Sequence, residues 1–126
     1  MTTTPAVSVV VADDDSDIRN LMMIAARKAG FELLAAASDG DEAWDAVSTL
    51  RPSLAILDVS MPGMTGIEVT RLIRASAALG SVRVVIVSAA VGAVAQAEGM
   101  DAGADLYLSK PFSPRELAAR LVEVMA

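Results

Sequence analysis

The sequence contains neither cysteine nor histidine. Without cysteine there are no disulfides and no thiolate metal ligands, and without histidine there is no imidazole ligand or histidine general base. Aromatic residues make up 3% of the 126 residues, so the core must be built from aliphatic side chains. Any metal held by this chain would be bound through oxygen atoms, which favours Mg²⁺, Mn²⁺ or Ca²⁺ over zinc or copper.

Long apolar runs and clusters of positive charge are also missing. No apolar stretch approaches the roughly 18 residues of a membrane helix, and no basic region precedes the first apolar run, as a signal peptide requires. Lys and Arg are scattered and the net charge is −6, so direct contact with nucleic acid or with an anionic membrane is not expected. We expect a cytoplasmic protein forming a single domain over residues 1–126, with residues 1–6 as a flexible N-terminal tail.

Short apolar runs instead alternate with amphipathic segments along the whole chain. Strands are predicted at residues 7–12, 31–37, 54–57, 82–87 and 106–108. Helices are predicted at residues 16–29, 41–50, 65–78 and 89–102 and after Ser113, with Leu50 and Val122 facing the core. Five such alternations predict an α/β fold with a parallel sheet covered by helices on both faces. The fourth helix contains two internal glycines and should be the most mobile.

Polar residues follow the predicted strands at the points where they end. Asp13 and Asp14 follow the first strand, Asp58 the third, Ser88 the fourth and Lys110 the fifth. In an open parallel sheet these ends share one edge, where ligands bind. If the first and third strands are neighbours, roughly 5 Å apart, their carboxylates converge.

Crowded carboxylates need a positive counter-charge to remain ionised, and Mg²⁺ fits an all-oxygen site that also receives a phosphate. A lysine beside such a site is most useful when further negative charge arrives, as with a phosphoryl group. The residues therefore point to phosphoryl transfer, with the metal and Lys110 neutralising the developing charge.

At these residues the chain resembles the receiver (response-regulator) domains of bacterial two-component signalling, of the single-domain chemotaxis type. The resemblance runs from Val7 to the last helix. It is carried by the pair Asp13-Asp14, by "LAILDVSMPGMTG" around Asp58, by Ser88 after "VVIV", and by "DAGADLYLSKPF" with Lys110. It implies a doubly wound, flavodoxin-like, five-stranded parallel sheet of order 2-1-3-4-5 with five helices.

The resemblance also implies roles for individual residues. Asp58 would accept a phosphoryl group from a phosphohistidine. Asp14, the Asp58 carboxylate and the backbone carbonyl of Ser60 would ligate Mg²⁺, while Asp13 would hold the ion through water. Ser88 and Lys110 would then contact the phosphoryl oxygens.

Signalling would follow from a change at Tyr107, the implied switch residue, which would alter the surface of the fourth helix, fifth strand and fifth helix. The Lys110–Pro111 bond would be cis. The implied partners are a histidine kinase or histidine phosphotransfer protein and a downstream effector protein. The chain would be a monomer or a weak phosphorylation-dependent dimer, and would catalyse its own phosphorylation and dephosphorylation without being a turnover enzyme.

The sequence departs from the usual receiver pattern at a few positions. Ser88 replaces the more usual Thr, and Thr65 stands where Asp often precedes the glycine of the loop. Ser60 and Ala90, which flank the phosphorylation site in such domains, are both small. The lifetime of an acyl phosphate at Asp58 is therefore open.

Two other functions compete with the phospho-acceptor switch. The first is a small Mg²⁺-dependent aspartyl-phosphate phosphatase, but such enzymes usually place the nucleophile after the first strand and carry a cap domain. The second is a receiver-like docking module that is never phosphorylated, against which the intact Asp58, Lys110 and acid pair argue. Whether the chain acts alone or was cut from a larger protein is left open.

Overall fold

A computed structural model of the protein describes residues 6–90 and 92–126. The expected flexible tail over residues 1–6 falls, apart from Ala6, outside the described residues. Five strands alternate with five helices through this part of the chain. The strands are β1 (Ser8–Ala12), β2 (Glu32–Ala37), β3 (Leu54–Asp58), β4 (Arg83–Ser88) and β5 (Leu106–Ser109). The helices are α1 (Ser16–Lys28), α2 (Gly40–Leu50), α3 (Gly66–Ala75), α4 (Ala93–Asp101) and α5 (Pro114–Met125).

The strands form one parallel sheet in the order β2-β1-β3-β4-β5, which confirms the predicted fold class. Ala12 is paired with Leu57, Asp58 with Val87, and Ser88 with Ser109. The carboxyl ends of four neighbouring strands are therefore level with one another at one edge. This register brings the polar residues that follow them into the same region.

Alternate strand residues face opposite layers of the core. Val10 and Ala12 pack with residues of α2 and α3, whereas Val9 and Val11 pack with residues of α1 and α5. Because helices cover both faces, both sets of side chains are buried, which explains strands that are apolar along their length.

Polar side chains fix where the helices begin at the carboxyl edge. The Asp15 carboxylate accepts from the backbone N–H groups of Asp17 (2.8 Å) and Ile18 (3.2 Å) at the start of α1. Thr65 caps α3 in a reciprocal box with Glu68, in which each side chain accepts from the other residue's backbone N–H. These caps fix the entry of the chain into each helix directly after the pocket loops.

The helix α4 is held to the sheet by few buried side chains. Gly99 is its only buried residue, and a Cβ there would lie 2.7 Å from Cδ2 of Tyr107. The N-cap Gly92 supplies no side-chain hydrogen bond. Beyond the C-terminus of the helix, Arg74 donates to the carbonyl oxygen of Gly103 at 2.8 Å. The helix is thus secured more firmly at its C-terminal end.

Several boundaries and orientations differ from those predicted. The fourth helix begins at Ala93 rather than residue 89, because Gly92 has φ 103°, which is incompatible with a helix. The third helix ends at Ala75, and a 3₁₀ turn covers Ala77–Leu79. Leu50 and Val122 are 45% and 49% exposed, which contradicts their predicted burial. Both residues lie at the border of the apolar stripe of a helix, where the spacing of apolar residues does not determine whether a side chain is buried or exposed.

Among the described residues, none of the helices is long and apolar enough to cross a lipid bilayer.

Candidate functional site

Three carboxylates meet at the carboxyl edge of the sheet. Asp13 and Asp14 follow β1, Asp58 ends β3, and one carboxylate oxygen from each lies within 4.8 Å of the others. An open pocket of about 480 Å³ lies above them. Its lining comprises residues 13–15, 58–60 and 88–90 together with Lys110. The sheet thus brings together six of the residues singled out from the sequence: Asp13, Asp14, Asp58, Ser60, Ser88 and Lys110.

Asp13 is the most deeply buried acid of the group, with no solvent exposure. Its Oδ1 accepts from the backbone N–H of Asp15 at 2.9 Å. Its Oδ2 lies 2.9 Å from Nζ of Lys110, yet no donor among the described residues meets hydrogen-bond geometry with this buried oxygen. Asp14 is exposed, so the two neighbouring acids occupy very different environments.

Lys110 is the counter-charge of the pocket. Its Nζ lies 2.9 Å from Asp13 Oδ2 and 3.3 Å from Asp58 Oδ1, and its side chain is largely buried. Burial lowers the pKa of Lys110, but its close contact with the Asp13 carboxylate and the negative charges of Asp58 and Asp13 outweigh this effect, so the pKa of Lys110 is raised overall. The ammonium group therefore remains charged between the two carboxylates.

Asp58 is almost completely buried, with 3% of its surface exposed. Burial and then the negative charge of Asp13 raise the pKa of the Asp58 carboxyl, and Lys110 and the backbone N–H of Ser60 offset only part of this effect. The pocket therefore holds more negative charge than its lysine balances. A further cation would relieve this excess.

The donor set fits a hard divalent cation. It consists of carboxylate oxygens close enough to share one ion. Near it lies the buried Asp13 Oδ2, for which the described part of the chain offers no donor in hydrogen-bond geometry. The acidic cluster can therefore bind a metal through oxygen, as the absence of His and Cys requires.

Ser88 and Tyr107 are joined through the backbone of one residue. The Ser88 hydroxyl oxygen accepts from the N–H of Ala90 at 3.1 Å, and the Tyr107 hydroxyl donates to the carbonyl oxygen of Ala90 at 2.7 Å. Ser88 lines the pocket whereas Tyr107 lies outside its lining. The Lys110–Pro111 peptide bond, which directly follows β5, is cis.

Sequence reasoning missed several residues that shape this site. Arg19 on α1 donates to the backbone carbonyl of Asp13 at 2.8 Å, and Gly40 and Gly66 pack against the loop that follows Asp58. An arginine about one helical turn after a cap residue gave a weak signal. The glycine contacts gave none, because they join segments distant in sequence.

The family comparison agrees with this geometry. Residues 9–122 match the response regulator receiver domain, and the chain therefore belongs to that family. Receiver domains act as phospho-acceptor switches in two-component signalling and in general are not turnover enzymes. Response regulators interact with histidine kinases and with effectors.

Individual relatives support the same assignment. The chain is 41% identical to the DNA-binding response regulator MtrA of Mycobacterium tuberculosis (strain ATCC 25618 / H37Rv) over 90% of this chain and 48% of that protein. It is 33% identical to the phosphate regulon transcriptional regulatory protein PhoB of Pseudomonas aeruginosa, over 94% of this chain and 51% of the other. The chain thus spans about half the length of these curated relatives.

A solved structure of the chemotaxis response regulator CheY4 of Vibrio cholerae has the same fold. It shares 31% identity with a TM-score of 0.86, covering 95% of this chain and 99% of that one. A DNA-binding response regulator of the LuxR family from Staphylococcus aureus shares 30% identity with a TM-score of 0.87, covering 95% and 99%.

Proposed function

We propose that this chain is a phospho-acceptor switch in which Asp58 receives the phosphoryl group with the help of Mg²⁺. The observation that carries the proposal is the meeting of three carboxylates and Lys110 around one open pocket. Asp58 is the best nucleophile because it lines the pocket beside Lys110, whereas Asp13 is completely buried and Asp14 has no contact with the ammonium group among the described residues.

The reaction is a transfer of one phosphoryl group between nucleophiles. A carboxylate oxygen of Asp58 attacks the phosphorus of a phosphohistidine, and the P–N bond breaks as the new P–O bond forms. The imidazole leaves, and the product is an acyl phosphate on Asp58. Attack of water on that phosphorus later returns the free carboxylate and inorganic phosphate, which ends the signal.

The phosphoryl charge would be neutralised by two groups in the pocket, the bound metal and Lys110. Asp14, Asp58 and the Ser60 carbonyl would hold the metal directly and Asp13 through water, and a bound Mg²⁺ supplies positive charge to the phosphoryl oxygens. Lys110 pairs with a phosphoryl oxygen, for which its ammonium is already in place between two acids.

The switch rests on the shared hydrogen bonds of Ala90. When the Ser88 hydroxyl turns to a phosphoryl oxygen, its bond to the Ala90 N–H is weakened and the loop can move. That movement changes the position of the Ala90 carbonyl, to which Tyr107 is bonded. Because the Tyr107 ring lies against Gly99, the change reaches the α4–β5–α5 surface.

The partners follow from the family. The donor would be a histidine kinase or histidine phosphotransfer protein, met in the cytoplasm, and the receiver of the signal an effector protein. We propose that residues 7–126 act as one receiver unit that is monomeric or dimerises weakly when phosphorylated, without contacting nucleic acid itself.

The test is incubation with acetyl phosphate and Mg²⁺ followed by intact mass spectrometry. Wild type should gain one phosphoryl group, and the adduct should be absent in Asp58→Asn and after chelation and reduced in Lys110→Ala. Asp45→Asn, which removes an exposed acid of α2, is the matched control and should behave as wild type. An adduct that persists in Asp58→Asn would exclude Asp58 as the acceptor.

A second arm of this experiment tests the switch. Tyr107→Phe keeps the ring and removes the hydrogen bond to Ala90. It should accept the phosphoryl group at the wild-type rate but lose most of the phosphorylation-dependent change in hydrogen exchange over α4. An unchanged response in α4 would remove Tyr107 from the mechanism.

A further inference from the structure

Gly40, the first residue of α2, lies directly against the backbone of the loop that follows Asp58. Its N–H donates to the carbonyl oxygen of Pro62 at 3.0 Å. A Cβ at this position would overlap the carbonyl group of Met64 and would lie 2.7 Å from the Met64 Cα. Since the obstacle is backbone, no side-chain rearrangement could make room, and any other residue at position 40 would push the two segments apart.

The same loop is held at its other end by a second glycine. The N–H of Gly66, the first residue of α3, donates to the carbonyl oxygen of Val59 at 3.0 Å. A Cβ on Gly66 would overlap the carbonyl oxygen of Asp58 and would lie 2.9 Å from its carbonyl carbon. The first turns of α2 and α3 therefore grip residues 59–65 through close backbone contacts on two sides.

The loop formed by residues 59–65 contributes to the lining of the pocket. Ser60 lines the pocket, and its backbone N–H acts on the Asp58 carboxylate and helps to hold down the pKa of that group. A shift of residues 62–64 would be transmitted to Ser60 along a chain of only two to four residues. Metal sites are sensitive to such shifts, because supporting contacts orient the ligands.

We propose that Gly40 is a positioning residue for the metal and phosphoryl site. It lies on α2, which contributes no side chain to the pocket lining, and it acts by setting the position of residues 59–65 relative to Asp13 and Asp14. The inference rests on the proposed function, since it concerns the same metal. It connects the packing of α2 on the sheet to the geometry at Asp58.

The test is calorimetric titration of Mg²⁺ into Gly40→Ala. Affinity should fall by about tenfold or more, the usual effect of losing a supporting contact of a metal site. Two controls are matched to the variant. Val47→Ala removes buried volume from the same helix, and Gly80→Ala adds a Cβ where the nearest atom, the carbonyl oxygen of Ala77, is 3.5 Å away. Both should bind Mg²⁺ as wild type does.

The outcomes separate this inference from the proposed function. Wild type that fails to bind Mg²⁺ contradicts the proposed function. Wild type that binds Mg²⁺ with Gly40→Ala binding it equally well overturns only the positioning role. The role also fails if Val47→Ala, at an equal loss of thermal stability, weakens Mg²⁺ binding as much.

A measurement on the wild type decides the question if Gly40→Ala does not fold. Thermodynamic coupling between two sites is reciprocal. If the contact between Gly40 and the loop strengthens Mg²⁺ binding, bound Mg²⁺ must therefore also stabilise that contact. Hydrogen exchange of the Gly40 amide, which donates to Pro62, should slow several-fold at saturating Mg²⁺. An exchange rate unaltered by Mg²⁺ would overturn the inference.

Discussion

At the scale of single residues, the pocket is an unbalanced group of charges. Lys110 contacts both Asp13 and Asp58, whereas the exposed Asp14 contributes a third carboxylate. Asp13 is fully buried, so in the metal-free protein its negative charge is stabilised by Lys110 and by the N–H of Asp15. A change in any one of these charges must alter the free energy of unfolding of the metal-free protein.

The pH dependence of stability follows from the raised pKa of Asp58. A folded state that holds its proton more tightly than the unfolded state loses stability as pH rises from the ordinary carboxyl range through the raised pKa. Without Mg²⁺ at neutral pH, the free energy of unfolding of Asp58→Asn should therefore exceed that of wild type by roughly 1 kcal/mol. The loss of stability as pH rises from the ordinary carboxyl range should also be smaller in Asp58→Asn than in wild type.

Urea titrations at a series of pH values, with Asp45→Asn as control, measure this effect. Lys110 has an effect of the same sign in the alkaline range, because its pKa is raised as well: the stability from its ion pairs is present at neutral pH and is lost as pH rises through that pKa. A metal-free Asp58→Asn protein less stable than wild type at pH 7 would contradict the assigned charge imbalance.

At the scale of elements, the caps at the carboxyl edge decide where the helices begin. Thr65, which stands where receiver domains often have Asp, is the N-cap of α3. Its hydroxyl accepts from the Glu68 N–H at 3.1 Å, and the Glu68 carboxylate accepts from the Thr65 N–H at 3.3 Å. Threonine thus replaces the carboxylate without loss of the cap.

Removing that cap should destabilise the protein by about 1 kcal/mol. We expect Thr65→Ala to show this loss in urea unfolding, and Thr65→Asp, which can also cap, to remain within a few tenths of wild type. If Thr65→Asp proves as unstable as Thr65→Ala, the contribution of Thr65 comes from packing rather than from the cap.

Local signals explain which elements could be predicted. Apolar runs, and the polar residues that follow them, lie within a few positions of the features they determine, so the strands and the polar edge of the sheet were predictable. The contact between Gly40 and Met64 and the shared bonds of Ala90 were not, because they depend on how distant segments pack. The exposed Leu50 shows a similar limit, since periodicity identifies an apolar stripe but not its edges.

At the scale of the whole molecule, the pocket connects several strands of the sheet with the helices on one of its faces. Asp13 and Lys110 follow strands at different positions in the sheet, while residues 59–65 are gripped by α2 and α3. A cation bound among the three carboxylates would therefore stabilise the folded state as a unit, since the unfolded chain does not bring these groups together.

Mg²⁺ should accordingly raise the free energy of unfolding of the entire domain. At a concentration 100 times its dissociation constant the increase should be about 2.7 kcal/mol in wild type. The increase should be small in Asp14→Asn and unchanged in Asp45→Asn, as followed by thermal unfolding with and without the ion. Equal stabilisation of Asp14→Asn would place the ion elsewhere.

The small number of buried residues in α4 has a practical consequence. A phosphoryl group shifts the population of two conformations only by the difference in its affinity for them. The element that responds first is therefore the one whose displacement requires the least free energy, which here is α4. Val94, in the first turn of α4, is 84% exposed. Since the chain has no cysteine, Val94→Cys would offer a unique thiol, and a dye attached there would make the protein an optical sensor of its own modification.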